Sequence, residues 1–320
     1  MVHAALAKRP APDPRKFRDP RVTAKGEARA AVALTCLRTL WINTGSLCNI
    51  ECVGCYIESG PRNDRLAYIT RAEVSAFLDE IERDRLGTEE IGFTGGEPFM
   101  NRDMAAMAGD ALARGFRVLI LTNAMAPLWN NRQAVADLNR RHGGALSVRV
   151  SIDHFTPDGH EAVRGPGSWA PMMRGLQWLA AEGVSLSVAA RQPLGETEAQ
   201  TRAGFARLFA SEDIALDARS PRDLVVFPDM DAAADVPEIT EACWGILGVA
   251  PNSMMCATSR MVVKRKGAER PVVLPCTLLP YDFRFEMGAT LAEAGGSVHL
   301  NHPHCATFCV LGGANCSGGA

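Results

Sequence analysis

From Leu37 onward, short apolar runs rich in β-forming residues alternate with longer segments whose apolar positions recur at helical spacing. The short runs predict strands at Thr39–Asn43, Glu90–Phe93, Arg117–Thr122, Leu146–Ile152, Val184–Ala190 and Asp223–Phe227. The segments between them carry helix signals. Thr70 with Glu73 three residues later makes a capping box, and Asn101 is placed to cap the helix that ends near Gly115. Leu176, Leu179 and Ala180 give the helix before Gly183 one apolar stripe. This alternation is the α/β pattern of repeated units around a parallel sheet. Six units build either an open, partial barrel or a doubly wound sheet, and in both the ligands gather at the C-terminal ends of the strands.

The ends of the chain depart from this pattern. Residues 1–36 hold Pro10, Pro12, Pro14 and Pro20 among many Arg and Lys, show neither hydrophobic period, and read as a mobile or loosely docked arm with no catalytic role. The alternation fades after Pro228. Six of the ten cysteines lie between Cys243 and Cys316, which sets residues 231–320 apart from the 37–230 unit. At 320 residues, 47% hydrophobic and 22% charged, the composition is that of an ordinary globular protein with a substantial core. A formal charge of −2 supplies no global field to draw nucleic acid or an anionic membrane, and neither is expected as a partner. No apolar run reaches the roughly 20 residues of a membrane span, and no secretory core opens the chain, so a cytoplasmic location is expected. In a long chain of that kind cysteines point to metal, cluster or redox chemistry more than to disulfides.

Cys48, Cys52 and Cys55 stand within eight residues, directly after the first expected strand. Three thiols on one loop can wrap a compact inorganic centre. A 4Fe–4S cluster usually takes four thiolates, so three leave one iron open to an exogenous ligand. The plainer alternatives are a structural zinc site, which wants a fourth protein ligand, or three unrelated core cysteines.

After the second expected strand comes Thr94-Gly95-Gly96-Glu97-Pro98. The glycines allow close approach of backbone to a ligand, and Glu97 offers a carboxylate to an ammonium group. A C-x3-C-x2-C loop after the first strand and Gly-Gly-Glu after the second resemble the radical S-adenosylmethionine (SAM) superfamily over roughly residues 37–230. The resemblance implies a partial (β/α)6 TIM-like barrel with a small C-terminal cysteine-rich extension. It implies Cys48, Cys52 and Cys55 as cluster ligands and catalytic centre, with Gly95, Gly96 and Glu97 around SAM's methionine amino group. The polar residues that end later strands are candidates for the rest of SAM: Thr122, Asn123, Ser151 and Asp153 for the ribose, Arg191 for the carboxylate. The family often has an aromatic immediately before the third cysteine. Here that position is Gly54 and the nearest aromatic is Tyr56, the remaining candidate for a contact to the cofactor.

Downstream, Cys256 through Gly267 to Cys276 reads as a hairpin with a cysteine at each end, followed by His302, His304, Cys305, Cys309 and Cys316. This resembles the auxiliary-cluster extension called twitch, or its larger relative SPASM. It implies a second 4Fe–4S cluster, for which Cys256, Cys276, Cys309 and Cys316 are favoured and Cys305 competes. Structural zinc held with His302 or His304 is the alternative. Cys36 and Cys243 are expected in the core.

The resemblance implies an enzyme that takes one electron from a donor such as flavodoxin or ferredoxin, cleaves SAM, and abstracts hydrogen from a substrate. No peptide-recognition domain is evident, which favours a small metabolite over a ribosomal peptide or protein. An iron–sulfur electron-transfer protein and a zinc-stapled binding protein are the non-catalytic alternatives, and both leave Gly95-Gly96-Glu97 unexplained.

Overall fold

The computed structural model describes residues 13–193, 195–228 and 235–313; Cys316 lies outside them. A short β1 (Ala31–Val32) comes first. β2 (Thr39–Asn43), β3 (Glu90–Thr94), β4 (Arg117–Thr122), β5 (Leu146–Ser151), β6 (Ser185–Arg191) and β7 (Leu224–Phe227) follow the apolar runs to within one residue at either end. β8 (Ser259–Val263), β9 (Val272–Leu274) and β10 (Val298–His299) belong to the C-terminal part. The connections hold α1 (Arg71–Asp84), α2 (Met104–Ala113), α3 (Ala126–His142), α4 (Pro157–Arg164), α5 (Trp169–Ala181) and α6 (Glu198–Ser211).

The main sheet has eight strands in the order β7-β6-β5-β4-β3-β2-β8-β9, all parallel except β9. From β2 to β7 each strand lies beside its predecessor, with no reversal of direction across the sheet. A doubly wound sheet requires such a reversal, so the topology is that of a partial barrel.

Strand alternation divides the apolar side chains between two layers. Leu40, Ile42, Ile91, Phe93, Val118, Ile120, Val148 and Val150 pack outward against helix residues such as Leu78, Met107, Leu176 and Phe205. Trp41 and Leu119 face the other way, into a second cluster with Met254, Met261, Leu274 and Phe308. The C-terminal part therefore fills the concave side. The expected hairpin forms as β8 and β9, and β8 continues the sheet by pairing in parallel with β2, Thr39 opposite Ser259.

At the start of α1 the capping box is present: Thr70 Oγ1 accepts from the Glu73 N–H at 3.3 Å and the Glu73 carboxylate accepts from the Thr70 N–H at 2.9 Å. Asn101 does not occupy the cap position of α2, which belongs to Asp103. Its Oδ1 instead accepts from the Asp103 N–H, and its Nδ2 donates to the carbonyls of Thr44 and Ile69 at 3.1 and 2.8 Å. A buried amide with several backbone partners within reach is better satisfied there than at a helix end.

Residues 13–36 are docked, contrary to the expectation of a loose arm. β1 pairs antiparallel with β10, and Arg29 is buried in an ion pair with Glu238 at 2.5 Å. These partners are more than 200 residues away, so no local period announces them. Cys36 is exposed, not in the core, and Cys243 is half-buried. No helix among the described residues is long and apolar enough to cross a membrane.

Candidate active site

The loop after β2 is fastened from several sides. The Cys48 N–H donates to Gly60 O at 3.2 Å, Cys55 N–H to Cys52 O at 3.3 Å, and Val53 N–H to Val163 O at 2.8 Å. Gly54 has φ +65°, the left-handed turn that glycine favours, and a Cβ there would lie 3.1 Å from Arg191 Nη1. That glycine lets Arg191 reach the Val53 carbonyl at 2.9 Å, with its guanidinium 5.5 Å from the Tyr56 ring centroid. The position where the family often has an aromatic is thus taken by a turn that an arginine closes.

Cys48, Cys52 and Cys55 line one cavity at the C-terminal ends of the strands, enclosing about 1110 Å³ counted with the part open to solvent. Tyr56, Gly95, Gly96, Asn123, Ser151, Asp153 and Arg191 line it too. The Cys48 thiol is pushed up to about 12, first by burial and then by the repulsion that its thiolate would meet from the acidic groups of Glu97, Cys52 and Cys55. Burial likewise raises Cys52, against the pull of Arg164. Thiols so placed keep their protons until a cation displaces them, which is how metal binding couples to proton release.

The two glycines serve a closer purpose than ligand approach. A Cβ on Gly96 would stand 2.0 Å from Leu47 O, and one on Gly95 2.6 Å from Gly45 O. Gly96 N–H donates to Gly45 O at 2.7 Å and Glu97 N–H to Leu47 O at 3.1 Å, so the strand-end loop lies backbone to backbone under the cysteine loop. Glu97 is absent from the cavity lining and almost wholly buried. Its carboxylate accepts from Asn123 N–H at 2.8 Å, Thr122 Oγ1 at 2.9 and 3.0 Å and Phe99 N–H at 3.2 Å. Burial lifts its pKa to about 7 although those donors pull it down. Asn123, fixed in this way, sends Nδ2 to Cys48 Sγ at 3.8 Å.

Asp153 sits between two cations. Arg164 Nε meets its Oδ2 at 2.6 Å and Arg191 Nε its Oδ1 at 3.2 Å. Burial alone would raise Asp153, and the two arginines overcome it and hold the carboxyl below its ordinary range. Arg164 was not expected from the sequence. It ends α4, where a basic residue is unremarkable because it complements the helix dipole, so no local signal marks it. Among the described residues its hydrogen bonds to protein run through Nε alone; it lines the cavity, and its charge acts on Cys52 and Cys48.

Residues 42–200 match the profile of the Radical SAM superfamily. The chain carries a radical SAM domain. Members of that superfamily are enzymes, and the family implies SAM and a 4Fe–4S cluster. Over 138 residues the chain is 33% identical to the mycofactocin maturase MftC of Mycobacterium ulcerans (strain Agy99), covering 42% of this chain and 34% of that protein. Over 145 residues it is 32% identical to a GTP 3′,8-cyclase of Yersinia pestis, covering 43% and 40%. The match thus spans about a third of the length of the maturase. Among solved structures, SuiB of Streptococcus suis bound to SAM shares the fold, with TM-score 0.58 at 11% identity over 80% of this chain and 64% of that one. SuiB bound to the precursor peptide SuiA gives 0.56 at 12% over 80% and 63%. The donor set fits the implied cofactors: three thiols on one cavity, two cations beside them, and polar strand ends along its wall.

In the C-terminal part Cys256, Cys276 and Cys305 are buried together, and burial with the charges of the other two raises Cys305 well above an ordinary thiol. Cys309 lies in the same π-helical turn, Cys305–Leu311, and is half-buried. Among the favoured ligands Cys316 is outside the described residues, while Cys305, the competitor, shares one buried cluster with Cys256 and Cys276. His302 and His304 contact each other at 4.4 Å between ring centroids, and His302 Nδ1 accepts the His304 N–H at 3.1 Å.

Proposed function

We propose that this protein binds SAM on a cluster held by Cys48, Cys52 and Cys55, cleaves it with an electron from a donor of the flavodoxin or ferredoxin kind, and abstracts hydrogen from a substrate. The observation that carries this reading is the single cavity in which three thiols from one loop meet the polar ends of β3 to β6. When bound, the cluster and SAM supply a reductive cleavage to methionine and a 5′-deoxyadenosyl radical. The protein's own part is to hold and orient. Arg164 presents its unengaged guanidinium nitrogens to SAM's carboxylate, with Asp153 fixing its angle. Arg191 closes the cysteine loop. Glu97 acts from behind, bracing Thr122 and Asn123 so that Asn123 meets the Cys48 sulfur.

The second proposed cluster takes Cys256, Cys276 and Cys305, completed by Cys309 or Cys316; its chemistry would be to accept an electron or anchor the substrate. For the substrate we favour a peptide, because MftC is a maturase and SuiB was solved with a precursor peptide. The small-metabolite reading keeps the support of the equally similar GTP 3′,8-cyclase. Anaerobic reconstitution with iron and sulfide, then SAM and dithionite, is expected to release 5′-deoxyadenosine. A fully metallated sample that leaves SAM intact while a control radical SAM enzyme cleaves it would overturn the assignment. A small precursor peptide encoded beside this chain supports the peptide substrate, and sugar or cofactor biosynthesis genes there would reverse it.

A further inference from the structure

Two residues beyond Cys55 the cysteine loop is gripped by the C-terminal part. The Tyr281 hydroxyl donates to Ile57 O at 2.7 Å and accepts from Asn63 Nδ2 at 3.1 Å. Asn63 Nδ2 also donates to Glu58 O at 2.7 Å, and the Asn63 carbonyl accepts from Ser46 Oγ at 2.9 Å, so the tyrosine joins both ends of the loop. The Arg65 guanidinium lies 3.6 Å from the Tyr281 ring centroid and pairs with Glu58. Glu58 itself has φ +45°, a strained setting for a residue with a side chain, and it follows directly on the carbonyl that Tyr281 holds. Such strain persists only where neighbours over-determine it. Thr277 and Leu278, on the same segment as Tyr281, form part of the cavity wall.

We propose that Tyr281 is a positioning residue for the cluster-binding loop: its hydroxyl fixes the Ile57–Glu58 turn and through it the place where Cys55 presents its thiol. The C-terminal part would then act on the first site by direct hydrogen bonding, whatever it does with cysteines of its own. The inference rests on the proposed function for its meaning, and on contacts of the protein alone for its geometry.

The test is Tyr281→Phe, which removes one hydroxyl and keeps the ring under Arg65. In the metal-free full-length protein, amide exchange within residues 55–63 is expected to quicken about tenfold, while exchange in β3 and β4 is unchanged. In the reconstituted protein, iron held by the triplet should be lost to a chelator about tenfold faster, and the change that SAM makes in the cluster's electron paramagnetic resonance spectrum should broaden. Exchange and iron loss equal to the parent's, or acceleration spread evenly over the chain, would reduce Tyr281 to a packing residue. A parent that takes up no SAM-responsive cluster would sink the proposed function instead, and the metal-free exchange would still decide the role of Tyr281.

Discussion

The cysteine triplet lies among charges: Asp153, Arg164 and Arg191 surround it, and the Glu97 carboxylate is buried beneath it. Cys256, Cys276 and Cys305 lie in a mainly apolar cluster with Met254, Met261, Leu274 and Phe308, where one buried cation, Arg260, acts on Cys256 and Cys276. The first group comes from one loop, the second from segments almost fifty residues apart that a hairpin and a π-helical turn bring together. A site that must hold and orient a charged ligand needs fixed counter-charges, whereas one that only retains an inorganic core is served by burial and thiols. The sharpest way to break this comparison is by substitution of the ligands. Changing Cys48, Cys52 and Cys55 together to Ala is expected to abolish 5′-deoxyadenosine formation and to lower bound iron from about eight to about four atoms per chain. Changing Cys256, Cys276 and Cys305 together should remove the other four and leave the SAM-induced spectral change in place. Stoichiometric zinc beside four irons in the parent would show that the second group is not an iron–sulfur site.

The next effect separates charge from packing. Asp153→Asn leaves Arg164 and Arg191 without their shared carboxylate, and stranding buried charge costs about 3–5 kcal/mol. Phe308→Ala, at a fully buried ring beside Tyr56 and Phe227, costs a similar amount, about 3–5 kcal/mol, through the cavity it leaves. The two should part with pH. The Asp153 carboxyl titrates below its unfolded value, so its contribution is full above the ordinary carboxylate range and is lost as pH falls through the lowered folded value. Denaturant melts in acid should therefore narrow the gap between Asp153→Asn and the parent while that for Phe308→Ala stays constant. A pH-independent gap for Asp153→Asn would mean that its neighbours, and not its charge, set the cost.

The same contrast explains what could be read from the chain alone. The six strands of the barrel were legible because each is a local apolar run, and the triplet because its thiols share one loop. Gly95-Gly96 was legible as a motif, yet its reason lies in the Leu47 and Gly45 carbonyls, which no spacing rule reveals. Arg164 carried no signal, being a basic residue in the last turn of a short helix. The pairing of β8 with β2, the docking of Arg29 onto Glu238 and the meeting of Cys305 with Cys276 all join residues far apart in sequence. Such contacts are chosen by tertiary packing, and hydrophobic period says nothing about them.

The smallest effect lies at Glu97. Its two oxygens face two backbone N–H groups and the Thr122 hydroxyl, so Glu97→Gln sets an amide N–H₂ against a donor and leaves at least one buried donor unpaired, about 1–3 kcal/mol. The penalty should depend on pH in the sense opposite to Asp153. Glu97 titrates near 7 in the folded protein against 4.5 unfolded, so between those values the native state binds the extra proton and parent stability falls as pH rises. The glutamine has no proton to lose. The variant's deficit is therefore greatest near pH 5 and shrinks toward pH 8, where the parent bears the cost of a buried charge. Melts of parent and variant across that range check the sign. A deficit that stays level from pH 5 to pH 8 would show that the carboxylate is ionised throughout and that the Asn123, Thr122 and Phe99 donors outweigh burial, making Glu97 one more fixed charge of the first site.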